Sequence, residues 1–133
     1  MLSSRFSPSL RRALLADALI SAATGLLMVL GSSFLTSFLD LPESLLRYAG
    51  LILIPYSALV GYIATREQLN RTAVWAVIVM NALWATDSIV LLLSGWVDPN
   101  LLGYSFVIVQ AAVVALFAEL QYLGVRKRMT TIA

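Results

Sequence analysis

The chain has 133 residues, of which 60% are hydrophobic and 12% charged, with a formal net charge of +2 and a mean hydropathy of +0.89. That balance excludes an ordinary soluble domain and leaves a membrane protein as the class that fits. Cysteine and histidine are both absent, which excludes disulfides, thiolate metal sites, cysteine nucleophiles, imidazole acid–base work and the usual haem ligation.

Residues 1–10 are serine-rich and read as a cytoplasmic lead-in. The apolar run after Arg11-Arg12 does not fit a signal peptide, because it holds Asp17, outlasts a typical h-region and offers no small-x-small cleavage site followed by soluble sequence. A first span is expected over about 13–30, with Asp17, Ser21, Thr24 and Met28 on one inward face. Gly31-Ser32-Ser33 interrupts it, and 32–39 is too short to cross a membrane, so it reads as a short interfacial segment.

Asp40-Leu41-Pro42-Glu43 carries the ingredients of a helix start: Asp40 as N-cap, proline in the first turn, and Glu43 near the positive end of the helix dipole. The span it opens covers about 43–65. Pro55 removes one backbone hydrogen bond within it, and Gly50, Ile54, Ser57 and Gly61 form a stripe that lets another helix approach closely. The turn 66–71 is short enough to make the second and third spans antiparallel neighbours. The third span, about 72–94, is followed by the Asp98-Pro99-Asn100 turn, and the fourth covers about 101–123, with Gly124 as a C-terminal stop.

Basic residues number three before the first span, two between the second and third, and three after the fourth, against Arg47 alone on the opposite side. Positive-inside bias therefore places both termini in the cytoplasm. Tyr48, Trp96 and Tyr104 mark one interface and Tyr62, Trp75 and Tyr122 the other. The expected fold is an all-α, four-transmembrane-helix bundle, N-in and C-in, forming a single membrane domain over 1–133. The two halves share neither the proline nor the acidic pattern, so an internal inverted repeat is not expected.

Polar residues inside the spans are the candidate site. An acid at such depth costs about 2.5–3.5 kcal/mol on insertion scales, so each should find a partner away from lipid. Arg47 and Asp87, at similar depth on adjacent spans with Tyr104 nearby, are expected to pair. The pair either fixes how the two spans pack or forms a proton or ligand site, and packing is the simpler account. Tyr56, Asn81, Trp84 and Gln110 near the midplane suit interhelical hydrogen bonding, with a pocket as the alternative. Asp17 and Glu119 lie nearer the cytoplasm. If they face each other they share a proton or bind a cation; if Asp17 reaches Arg11 or Arg12, and Glu119 reaches Arg126, they anchor helix ends, which the sequence favours. The sequence shows no phosphate-binding loop, metal-ligand cluster or catalytic serine–histidine pair, so neither catalytic residues nor a metal or cofactor is expected.

Asn81-Ala82-Leu83-Trp84, Leu91-Leu92-Leu93-Ser94-Gly95, Leu102-Gly103, Gln110-Ala111 and Glu119-Leu120-Gln121-Tyr122-x-Gly124-x-Arg126 resemble a group of small uncharacterised four-span bacterial inner-membrane proteins. The resemblance implies topology and location without a substrate or reaction. Small multidrug exporters have a similar span count, but the strong charge bias and the acids in the third and fourth spans depart from their pattern. The leading expectation is a non-enzymatic membrane protein, an interaction or accessory subunit whose buried polar network organises the bundle. It would sit in the bilayer as a homo-oligomer or within a larger membrane complex, with no nucleic-acid partner. The alternative is a small transporter or intramembrane ligand-binding protein using Asp87 with Arg47, or Asp17 with Glu119.

Overall fold

Long runs of leucine, valine and alanine make every regular element among the described residues a helix. The computed structural model describes residues 8–132, with side chains from 9 to 126. Among the described residues there are five helices: α1 (Pro8–Leu30), α2 (Ser32–Leu39), α3 (Glu43–Thr65), α4 (Arg71–Ser94) and α5 (Leu101–Ile132). The serine-rich lead-in before Pro8, with Arg5, and the side chains of Lys127 and Arg128 that enter the charge count lie outside the described residues.

Local chemistry sets most boundaries. Asn70 caps α4, its side-chain oxygen accepting the Ala73 N–H at 3.0 Å, and Asn100 caps α5 by accepting the Gly103 N–H at 2.8 Å. At its far end α4 stops at Gly95, whose φ of +78° is open to glycine without strain.

Asp40 behaves differently from its expected role. It closes α2 as a C-cap, in the left-handed region at φ 58°, with its N–H on the Thr36 carbonyl at 3.0 Å, and the N-cap of α3 is Pro42. Aspartate is among the few residues that enter that region readily, so the same side chain that suits a helix start also suits this stop. Gly124 is not a stop either. The helix runs through it, because a Cβ there would fall 2.8 Å from the Leu10 Cβ: glycine is needed for the approach of α1 to α5.

The four long helices alternate in direction, bringing the start of α1, the end of α3, the start of α4 and the later part of α5 to one end of the molecule. Leu10, Leu14, Val60, Ala64, Val74 and Val125 fill that end, and a second cluster around Met28, Leu39, Leu46, Leu53 and Val107 fills the other, under α2. The closest packing is α1 on α3 and α4 on α5. Consecutive α3 and α4 make the sparsest contact of the long neighbours, so the short turn between them makes them antiparallel without packing them along their length. Only 17–33% of each span is buried inside the protein, while Leu19, Leu30, Leu93 and Leu101 are 73–81% exposed. The apolar surface therefore faces outward on four helices long and apolar enough to cross a membrane.

Arg11 ties α1 to the end of α3. Its guanidinium donates to the carbonyl of Ala64, in the last turn of α3 where carbonyls lack internal partners, and to those of Arg66 (2.7 Å) and Glu67 (3.1 Å) just beyond the helix. A cation is also favoured at that negative pole of the dipole. Arg11→Met keeps most of the apolar stem and loses all three bonds, so a drop of about 1–3 kcal/mol is expected, measured as the unfolding free energy in detergent.

Candidate functional site

Every long helix contributes one inward polar side chain to a single carboxylate. Asp17 on α1 is 1% exposed, and its Oδ2 accepts from the Tyr56 hydroxyl of α3, the Asn81 amide of α4 and the Gln121 amide of α5, each at 2.9 Å. Its Oδ1 accepts from the Ser21 hydroxyl one turn along α1 at 3.0 Å. A cross-link closes the ring, Asn81 donating to the Gln121 Oε1 at 3.0 Å; the Asn81 Oδ1, 2.8 Å from the Tyr56 oxygen, competes with Asp17 for the one Tyr56 proton. The carboxylate is thus held by neutral donors alone. Removing any one leaves a buried polar group unpaired, which makes the ring a four-helix clasp.

A second network joins α4 to α5 nearer the other end. The Trp84 indole N–H donates to the Gln110 Oε1 at 2.8 Å, the Gln110 amide donates to the Ser88 hydroxyl and the Val107 carbonyl at 2.9 Å each, and Ser88 donates to the Trp84 carbonyl at 2.7 Å. The four midplane residues of the sequence therefore divide: Tyr56 and Asn81 join Asp17, while Trp84 and Gln110 form their own set. Tyr104 belongs to neither.

No family model, curated protein or solved structure matches this chain. The site is accordingly read from its geometry.

None of the expected charge pairings is formed among the described residues. Arg47 bonds Glu43 at 2.8 Å, with Ser32 at 3.4 Å, because Glu43 lies one turn back on the same helix face. Asp87, its expected partner, is exposed on α4 and has no hydrogen bond or ion pair among the described residues. Equal depth does not bring the two together, because α3 and α4 stand apart. Asp17 meets neither Arg11, which is committed to α3, nor Glu119. The latter is exposed, since two residues of helix turn it about 200° away from the inward Gln121. Nor does Glu119 bond to Arg126, whose guanidinium lies 5.8 Å from the Tyr122 ring centroid.

Gln121 is the residue that sequence reasoning passed over. It follows Gln110 by eleven positions, three helical turns, which puts both on one side of α5. That spacing is the signal in the sequence, and the charge of Glu119 masks it.

Clefts open on two flanks. Between α1 and α5 lies one of about 470 Å³, apolar along Val109, Val113 and Phe117, with Asp17 and Ser21 at its floor. Between α3 and α4 lie two more, of about 340 and 230 Å³. Asp87 and Trp84 line both of the latter, and Tyr48, Ile52 and Phe106 line the larger.

Proposed function

We propose that this chain is a non-enzymatic, multi-pass protein of the bacterial inner membrane that works through its flanks, as an interaction or accessory component. Both termini lie on the cytoplasmic side in this reading, supported by the grouping of basic residues at one end. The observation that carries it is the completeness of the Asp17 ring. A carboxylate at 1% exposure that accepts four hydrogen bonds, three of them from other helices, is committed to holding the bundle together. The polar groups with unspent capacity, Asp87 and Glu119, stand on the outside of candidate spans, where a second molecule can reach them.

The test is photocrosslinking in native membranes from outward Leu116 and from inward Val77, with reporters fused after residue 132 and in the 96–100 loop. We expect a discrete protein adduct from position 116 alone, and a cytoplasmic signal from the C-terminal fusion only. Lipid adducts alone from both positions, or an external C-terminus, would overturn the reading. A second reading, a small-molecule site, is favoured by the α3/α4 cleft.

A further inference from the structure

We infer that the α3/α4 cleft binds an amphipathic organic cation, a protonated or quaternary amine with an apolar body, with Asp87 as its counter-ion. The inference rests on the chain spanning a membrane; Asp17 itself lines neither part of this cleft, and Ser21, Tyr56 and Asn81 of the clasp border its smaller part.

Four observations converge on this cleft. Asp87 is the one charged side chain lining it, and it has no hydrogen bond or ion pair among the described residues. The arginine that could have neutralised it is held elsewhere, by Glu43 and Ser32. The carboxylate stands seven residues before the end of α4 at Ser94, about 10 Å along the helix axis, so it lies within the candidate span and beyond easy reach of bulk water. Finally, the walls suit a cation with an apolar body: Trp84, Tyr48 and Phe106 present aromatic surface, and Leu45, Ile52 and Leu91 present aliphatic surface.

Each feature has a chemical consequence. A lone carboxylate in an apolar setting attracts a positive group strongly, because little water competes for either charge. Aromatic faces add attraction for cations through the ring quadrupole, most of all for indole. Trp84 is pre-positioned, since its N–H is fixed to the Gln110 Oε1 at 2.8 Å and Gln110 is itself tied to Ser88 and Val107. A wall already held in place costs little further ordering when a ligand arrives. The volume of about 340 Å³ accommodates a compact drug-sized body, and the adjoining 230 Å³ space shares Trp84 and Asp87 with it. An anion would meet only Asp87 as a formal charge, and a neutral ligand would leave that charge uncompensated.

The experiment uses the full chain in nanodiscs of zwitterionic lipid, with tritiated tetraphenylphosphonium as the probe and empty nanodiscs as the background. Triphenylphosphine oxide, of similar shape and without charge, serves as competitor. Saturable binding near one per chain is expected, reduced at least tenfold by Asp87→Asn, kept within about threefold by Asp87→Glu, and little affected by the uncharged competitor. Because Asp87 makes no hydrogen bond or ion pair among the described residues, Asp87→Asn should unfold no earlier than the parent, so lost binding cannot be ascribed to lost fold. Asp17→Asn should leave the affinity unchanged.

Equal affinity of the parent and Asp87→Asn overturns the proposal, as does equal competition by the neutral compound. So does loss of binding in Asp17→Asn with Asp87→Asn intact, which would move the ligand to the α1/α5 cleft. Self-association abolished by Asp87→Asn, without cation binding, would assign the cleft to a second copy and overturn it too.

Discussion

Asp17→Ala is expected to cost the bundle roughly 2–5 kcal/mol. Three of the bonds to Asp17 cross between helices, and interhelical hydrogen bonds in membrane proteins are worth about 0.6–1.7 kcal/mol each. Alanine also strands the donors of Tyr56, Asn81 and Gln121 in the interior, where an unsatisfied group costs about 1–3 kcal/mol if the structure cannot relax around it. Asp17→Asn should fall between alanine and the parent. It keeps one acceptor oxygen for the three interhelical donors and turns its NH2 group toward the Ser21 hydroxyl, which can accept, so the main loss is the charge on the acceptor. Glu119→Ala is the control, because its exposed carboxylate bonds to no described residue and its loss should stay within about 0.5 kcal/mol. Unfolding free energies in mixed detergent micelles check all three. A loss for Asp17→Ala no larger than for Glu119→Ala would show that the ring does not hold the helices.

The interaction reading and the clasp are two sides of one arrangement. Near the arginine-bearing end Leu10, Leu14, Val60, Val74 and Val125 pack the interior, and Asp17 commits four hydrogen bonds to the bundle. Toward the other end α3 and α4 separate, Trp84 and Gln110 bridge only α4 to α5, and flank clefts open. The buried acid thus holds the helices, and the exposed one stands at the flank, where a ligand or partner can reach it.

The sequence made the all-helical character and the four long apolar helices legible, because hydropathy over some twenty residues is a sum that no single neighbour alters. It also made the inward face of α1 legible: Asp17 and Ser21 share it on a helical wheel, and the structure joins them at 3.0 Å. What stayed hidden was azimuth between helices. Depth can be counted along a chain, so Arg47 and Asp87 looked matched, yet whether two residues at one level face each other depends on which helices pack, and α3 packs on α1. Glu43, one turn from Arg47, was the nearer partner and was visible as an i, i+4 pair. The same blindness promoted Glu119 over Gln121: charge made one conspicuous, and orientation, set by α1 and α4, chose the other.

Packing of α3 on α1 leads to the second large effect, at the crossing of Gly25 and Gly50. A Cβ built on Gly50 would lie 2.8 Å from the Gly25 carbonyl oxygen and 2.8 Å from the Val29 Cγ2, and one on Gly25 would lie 3.1 Å from the Gly50 carbonyl. The oxygen is backbone and cannot step aside as a side-chain tip would, so the helices must separate and lose close packing along their shared face. Gly50→Ala should therefore cost about 1–3 kcal/mol, and Gly50→Leu more, despite the better helix propensity of both residues. Gly61 lies on the same stripe of α3, but a Cβ there would meet only the Ala18 Cβ at 3.8 Å, an ordinary contact. Gly61→Ala should be neutral, or stabilising by up to about 1 kcal/mol through propensity alone. Opposite signs at two glycines of one helix, read in the same unfolding assay, are the expected signature of a local crossing. If both substitutions were equally costly, close approach would extend along the whole stripe; if both were harmless, the helices would not cross at Gly50, and the register that carries Tyr56 to Asp17 would have to be redrawn.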